Sequence, residues 1–213
     1  MSELHQNKVS LPVIKRLPKY YRYLSEMHQN GVVKVSSSEL ARMMGTTASQ
    51  VRQDFNCFGG FGQQGIGYQV DVLLSEISKL LFSEGDLDTI LIGTGRLGRA
   101  ISGYLTGEAR GYRLIAAFDK SPKEVGQPLG GLQIQDIASL SDFCQEHKPQ
   151  VAVLCIPKSS AQELAPVLVG FGIRNFWNFS HYDLSVAFEG VTVENVHLGD
   201  SLMSLGYRVR NCQ

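Results

Sequence analysis

The sequence has little of several things, and each shortage narrows the reading. Its 213 residues hold no unbroken apolar run of the kind a membrane helix needs, about 18 residues or more. The first ten residues are polar and lack the apolar centre of a secretion signal, so a cytoplasmic protein with no membrane partner is expected. There are four cysteines, Cys57, Cys144, Cys155 and Cys212, far apart and never as CxxC. That spacing fits neither a zinc site nor a disulfide framework, and points to reduced thiols. A thiol switch is the other reading, although Cys155 falls in the apolar run 151–156, where a small side chain packs well. The five histidines show no HxxxH-like spacing, so no metal site is expected.

Net charge is also lacking. Twenty Lys and Arg balance twenty Asp and Glu, which at first argues against nucleic acid, whose partners usually carry a basic excess. The zero is a cancellation. Residues 1–63 hold eight basic and four acidic side chains, 8 − 4 = +4, and residues 64–213 hold twelve and sixteen, 12 − 16 = −4. A basic head and an acidic body fit two domains with different partners.

The head carries the first pattern. Val13, Ile14, Leu17, Tyr20, Tyr21 and Leu24 recur with helical spacing, and Lys15, Arg16, Lys19 and Arg22 form a basic stripe beside them. Pro18 is expected to interrupt or restart this helix, because it has no N–H. Ser36 with Glu39 fits a capping box, and so does Thr47 with Gln50. Gly45 separates the two short helices, which together read as a helix-turn-helix. On the second helix Val51, Phe55 and Phe58 mark the core face. Ser49, Arg52, Gln53 and Asn56 share another face, with side chains suited to base edges. On this helix alone, a base-reading face and an ordinary surface face fit equally well. Five glycines crowd residues 58–68, which cannot be helix and can be a tight hairpin, or wing, carrying Gln63 and Gln64. Residues 70–82 then read as a connecting helix with Val70, Leu73, Leu74, Ile77, Leu80 and Leu81 inward.

The body opens with a strand at 89–92, followed by Gly93-Thr94-Gly95-Arg96-Leu97-Gly98 and a helical stretch to Leu105. A GxGxxG between strand and helix is the dinucleotide fingerprint, with each glycine serving a turn, a close approach or helix packing. A second strand, 113–118, ends at Asp119, placed to accept hydrogen bonds from ribose hydroxyls and to repel a 2′-phosphate, so NAD(H) is favoured over NADP(H). Lys120 softens that preference, and an aspartate in a surface turn is the plainer alternative. Further alternation follows: strands at 132–134, 151–156, 174–178 and 191–196, helices at 140–147 and 159–171, and a terminal helix at 200–210 with exposed apolar positions for a partner subunit. Residues 86–213 make 128 positions, enough for a cofactor domain but short for a substrate domain with its own acid or base. His147, His181 and His197 lack an evident catalytic partner, so no catalytic residue is assigned. A sensor is more economical than an enzyme. A small NAD-dependent oxidoreductase and a CoA-binding module are the rival readings.

The chain resembles the Rex family of redox-sensing transcriptional repressors. The resemblance rests on residues 15–22, residues 48–55, the glycine-rich 58–68, the 93–98 loop and Asn195-Val196, and spans almost the whole chain. It implies an α/β architecture: a winged helix-turn-helix DNA-binding domain at 1–85, a Rossmann-like NAD(H) domain at 86–198 and a swapped dimerisation helix at 199–213. It also implies a homodimer on a palindromic operator that senses the NADH/NAD+ ratio and leaves double-stranded DNA when NADH binds. By motif match the cofactor set is Gly93, Thr94, Gly95, Arg96, Leu97, Gly98, Tyr104, Asp119, Lys120 and Pro157. The DNA set is Lys15, Lys19, Ser49, Arg52, Gln53, Asn56, Gln63 and Gln64. Three departures stand out. Gln53 replaces a common lysine, and Gln63 and Gln64 replace wing basics, each lost phosphate contact flattening the salt dependence by about one unit of slope. The family pairs an arginine matching Arg16 with a partner-subunit aspartate, and here that position is His197, with Asp200 the nearest carboxylate, so the expected switch set is Arg16, His197 and Asp200.

Overall fold

In the computed structural model, which describes residues 9–58, 67–82 and 85–211, the first apolar stripe forms one helix. α1 (Leu11–Gln29) buries Val13, Leu17, Tyr20 and Leu24. Pro18 sits inside this continuous helix rather than interrupting it. Its ring faces solvent, and the buried residues on both sides of it hold the helix together across the missing N–H. Ile14 is 45% exposed, so it lies off the core stripe.

β1 (Lys34–Val35) leads into α2 (Ser37–Met44), whose capping box is complete: Ser36 accepts from the Glu39 amide and the Glu39 side chain returns to the Ser36 amide. Gly45 ends α2 at φ +67, a left-handed cap that suits glycine. α3 (Ala48–Asn56) starts at Thr47, which accepts from the Gln50 amide at 3.1 Å. The reciprocal half of that second box is not made, because the Gln50 side chain turns instead to Asp54. β2 (Tyr68–Gln69) pairs antiparallel with β1, and Gly67, at φ +79, must be glycine there because a Cβ would lie 2.8 Å from the Val35 carbonyl oxygen. Most of the expected wing, with Gln63 and Gln64, falls on residues 59–66, outside the described residues. α4 (Val70–Leu81) buries Val70, Leu73 and Ile77, while Leu80, read as inward, is 48% exposed. The aromatic centre of this core is Phe55, with Tyr20 and Tyr68 rings 4.9 and 5.0 Å away. Compactness divides the chain into Met1–Ser83 and Glu84–Gln213.

The second unit is a seven-stranded sheet. Its strands are β3 (Leu87–Ile92), β4 (Tyr112–Asp119), β5 (Pro128–Leu129), β6 (Leu132–Asp136), β7 (Val151–Leu154), β8 (Asn175–Asn178) and β9 (Thr192–Asn195), in spatial order β5-β6-β4-β3-β7-β8-β9. All neighbours are parallel except β5, a short antiparallel edge strand. The central strands are apolar along their length because both faces are covered. Ile90 and Ile92 pack toward α6 (Leu140–His147) and α7 (Lys158–Gly170), while Leu91, with Val153, packs toward α5 (Arg96–Gly107). That alternation is the two-residue period of a strand. A one-turn helix, α8 (Leu184–Ala187), precedes β9, and α9 (Leu198–Asn211) follows it with no buried residue. The strand order reverses beside β3: the chain lays β4 and β6 on one side, then crosses back to place β7 on the other. Open α/β sheets bind ligands at the carboxyl ends of the strands at such a switch point.

Candidate functional site

The loop after β3 occupies that switch point, and its three glycines have three distinct reasons. Gly93 adopts φ +90, and a Cβ there would lie 2.5 Å from the Cys155 carbonyl oxygen at the end of β7. At Gly98 an added Cβ would lie 1.9 Å from the Gly93 carbonyl oxygen, so α5 can sit against the strand only without one. Gly95 meets nothing within 4 Å. Its bare face opens over the start of α5, where no side chain caps the helix and no acid stands in the first turn. Free N–H groups and the positive end of a helix dipole there suit a phosphate, so the cradle fits the pyrophosphate of a dinucleotide. Arg96 and Leu97 are exposed beside it, and Pro157 is exposed where it starts α7.

Thr94 is fully buried and ties the loop to the end of β4. Its amide and hydroxyl donate to Asp119 Oδ2 at 2.7 and 2.9 Å, and the Ser121 amide donates to Oδ1 at 2.9 Å. Burial pushes the Asp119 pKa up, but these bonds, with one from the Lys120 amide, outweigh it and hold the carboxyl below its ordinary range. Asp119 is therefore a fixed anion at the end of β4, beside the glycine loop. A sugar hydroxyl has to share an oxygen already bonded or displace the Thr94 hydroxyl, because a carboxylate offers about four acceptor positions. Lys120 is exposed beside it. Tyr104, on α5, is 47% exposed, with its ring 6.2 Å from Trp177 of β8.

In the first unit, Ser49, Arg52, Gln53 and Asn56 are all exposed on one face of α3, and Arg52 Nη1 donates to Ser37 Oγ at 3.1 Å. Lys15 is exposed on α1. Lys19 caps α2 by donating from Nζ to the Met44 carbonyl at 2.7 Å. The opposite face of α3 holds Asp54, fully buried and unread in the sequence. Arg16 meets it with a two-pronged fork, Nε to Oδ2 at 2.6 Å and Nη2 to Oδ1 at 2.7 Å. The Tyr20 hydroxyl donates to Oδ2 at 2.9 Å and Gln50 Nε2 to Oδ1 at 2.8 Å. Burial raises the Asp54 pKa, and the bonds from Arg16, Gln50 and Tyr20 more than reverse it, so the carboxyl is held below its ordinary value. The Arg16 pKa is raised in return by the Asp54 hydrogen bond. The sequence signal for this cluster was an acid flanked by core positions, which can be buried only with a partner.

Of the expected switch residues, Arg16 is thus engaged by Asp54 within its own unit. His197 Nδ1 lies 3.4 Å from Asp200 Oδ2, and its ring is 4.8 Å from that of His181. Burial pushes the Cys155 thiol up to about 12 and raises Cys144 as well, so neither is a reactive thiolate. Among the described residues no three His, Cys, Asp or Glu side chains converge on a possible metal position, and no helix is long and apolar enough to cross a membrane.

Residues 8–56 match the family described as "Putative DNA-binding protein N-terminus" and residues 85–182 the family described as "CoA binding domain". The class is accordingly a regulator with a helix-turn-helix unit ahead of a Rossmann-like unit. Relatives extend over nearly the whole chain. Redox-sensing transcriptional repressor Rex of Thermoanaerobacter pseudethanolicus is 47% identical over 204 residues, 96% of this chain and 91% of that protein. The Rex protein of Clostridium tetani is 46% identical over 95% of each chain. A solved structure of RSP in complex with β-NAD+ and operator DNA superposes with a TM-score of 0.86 at 46% identity, covering 94% of this chain and 92% of that one. RSP in complex with β-NADH also gives 0.86, at 43% identity and 95% of each chain. The chain belongs to the Rex family of redox-sensing transcriptional repressors. Its place is among regulators and not enzymes.

Proposed function

We propose that this protein is a repressor that binds a palindromic operator as a homodimer and releases it when NADH occupies the second unit. The observation that carries the reading is a relative of matching fold solved with β-NAD+ and operator DNA together. In this reading Ser49, Arg52, Gln53 and Asn56 meet base edges. Lys15 meets phosphate, and so does Lys19, whose ammonium keeps two donors beyond the one on Met44. Gln63 and Gln64 follow the backbone from the wing. Gly93, Thr94, Gly95, Arg96, Leu97 and Gly98 cradle the pyrophosphate, Asp119 and Lys120 flank the adenosine ribose, Tyr104 lies near the nicotinamide or the dimer interface, and Pro157 belongs to the cofactor set. Arg16 joins an inter-subunit switch with His197 or Asp200 only by leaving or sharing Asp54. The protein works in the cytoplasm.

NADH releases DNA only if it binds the DNA-free arrangement better than the DNA-bound one. A neutral dihydronicotinamide enters an apolar pocket at lower cost than the cationic ring of NAD+. The bound nucleotide thus supplies a charge difference, and the residues of this chain convert it into a preference between arrangements. The family description of residues 85–182 favours CoA as a second ligand, so CoA belongs in the same test. Operator affinity is measured by fluorescence anisotropy with NADH, NAD+ or CoA added. The expected result is weaker binding with NADH alone. Equal affinity with NADH and NAD+ overturns the proposal, and release by CoA alone replaces it. In the same assay Arg52→Ala is expected to lose sequence discrimination while still binding NADH.

A further inference from the structure

Among the described residues, Asp54 is the one fully buried charged side chain, and stability alone explains it poorly. A buried ion pair is often no more stabilising than apolar side chains of the same volume, because both charges lose their hydration. What the pair adds is direction. Val51 and Phe55, the apolar contacts of α3, hold it in place without fixing its roll, since apolar contact is not directional. The Arg16 fork is directional: two parallel N–H donors meet two oxygens in one plane. Arg16 and Tyr20 are one turn apart on α1, and both address Asp54. Gln50, one turn back on α3, fills a remaining acceptor position. Asp54 also lies nearly opposite the exposed face of Ser49, Arg52, Gln53 and Asn56. Any roll of α3 that moves those four side chains therefore has to break this fork. A binding constellation has to be held within about 10–20° of its productive geometry by the residues that support it.

We infer that Asp54 is a positioning residue which, through Arg16 and Tyr20, sets the roll of α3 and hence the sequence discrimination of its exposed face. The inference rests on the DNA-binding reading above. It gives Arg16 a task within its own head, on the side of α3 away from the bases.

The test uses the full chain and two probes: a duplex that the wild-type protein selects from a random pool, and the same duplex with its sequence scrambled. The readout is the ratio of the two affinities, with cooperative thermal unfolding as the folding control. An apolar replacement of the pair, Arg16→Met with Asp54→Leu, separates positioning from stability. It is expected to unfold in one cooperative transition as wild type does while the ratio falls tenfold or more. Arg16→Lys keeps the charge but loses the fork, and is expected to lower the ratio as well. Tyr20→Phe, which removes one bond of the set, should lower it less. Ratios within twofold of wild type in the double variant and in Arg16→Lys overturn the inference. If the double variant does not fold, Arg16→Lys decides it alone. A wild-type protein that selects no sequence overturns the DNA-binding reading and this inference with it, whereas a selective wild type with unchanged variants overturns the inference only.

Discussion

A methyl group added at Gly95 would meet nothing within 4 Å, and one added at Gly98 would lie 1.9 Å from the Gly93 carbonyl oxygen. These two residues, three apart, therefore separate binding from folding. Gly95→Ala should cost no more than about 1 kcal/mol as a changed helix cap, yet lower NADH affinity tenfold or more if the proposed cradle holds, since the methyl would then stand where the pyrophosphate approaches. Gly98→Ala should destabilise the second unit by about 1–3 kcal/mol or more, because strand and helix have to part. Thermal melting followed by NADH titration checks both, and Gly95→Ala binding NADH like wild type would refute the cradle. The glycines were legible in the sequence because their reasons are local: a turn, a bare face, a helix start. Asp54 was not. Its place between the core positions Val51 and Phe55 allows burial without requiring it, and its partner Arg16 stands 38 residues earlier, inside a basic stripe that reads equally well as a DNA face.

Among elements, the long periodic ones were readable and the short ones were not. α6 spans Leu140–His147, the very residues its apolar spacing marks, and α4 and β7 differ from their expected spans only at one end. β1, β2 and β5 have two residues each, too few to show any period. They exist because a neighbouring strand offers pairing, which is information from elsewhere in the chain. α1 shows the opposite error, where a local rule about Pro18 lost to the packing of a long stripe. The joint between α1 and α3 carries a pH dependence. The folded pKa of Asp54 lies below its unfolded value of about 3.9. Its contribution to stability is therefore complete above that unfolded value and is lost as the pH falls through the folded one. The gap in melting temperature between wild type and Asp54→Asn should accordingly be widest near neutrality and close as the pH drops below about 4. A gap that stays constant down to that pH would mean that the carboxylate charge is not what Asn removes.

At the scale of the molecule, α9 has the least explanation in a single chain. Leu198, Leu202, Met203, Leu205, Tyr207 and Val209 are 50–69% exposed, an apolar surface of the kind that a soluble chain covers with a partner. In the proposed dimer a second copy covers it. Leu202→Glu should then shift the protein toward monomer in sedimentation. It should weaken binding to a duplex with two half-sites while leaving a single half-site unaffected, because the loss is one of linked concentration. A wild-type protein that sediments as a monomer would refute this. The charge balance gains a meaning at the same scale. In the proposed dimer a head of only +4 would grip DNA modestly by itself, and two heads held together would supply the rest.

The pairing of β3 with β7 also sets an order in time. Thr89 lies opposite Val151, so the crevice has no second wall until roughly sixty further residues have left the ribosome, whereas the first core, among the described residues, lies wholly before residue 83. Domains fold as units, the earlier one first, during synthesis. A growing chain thus owns a finished reading head while its sensor is still incomplete, and α9, which comes after every strand, is made later still. In the proposed dimer, joining is therefore the last step of manufacture: a half-made repressor can touch DNA but has only one hand to hold it with.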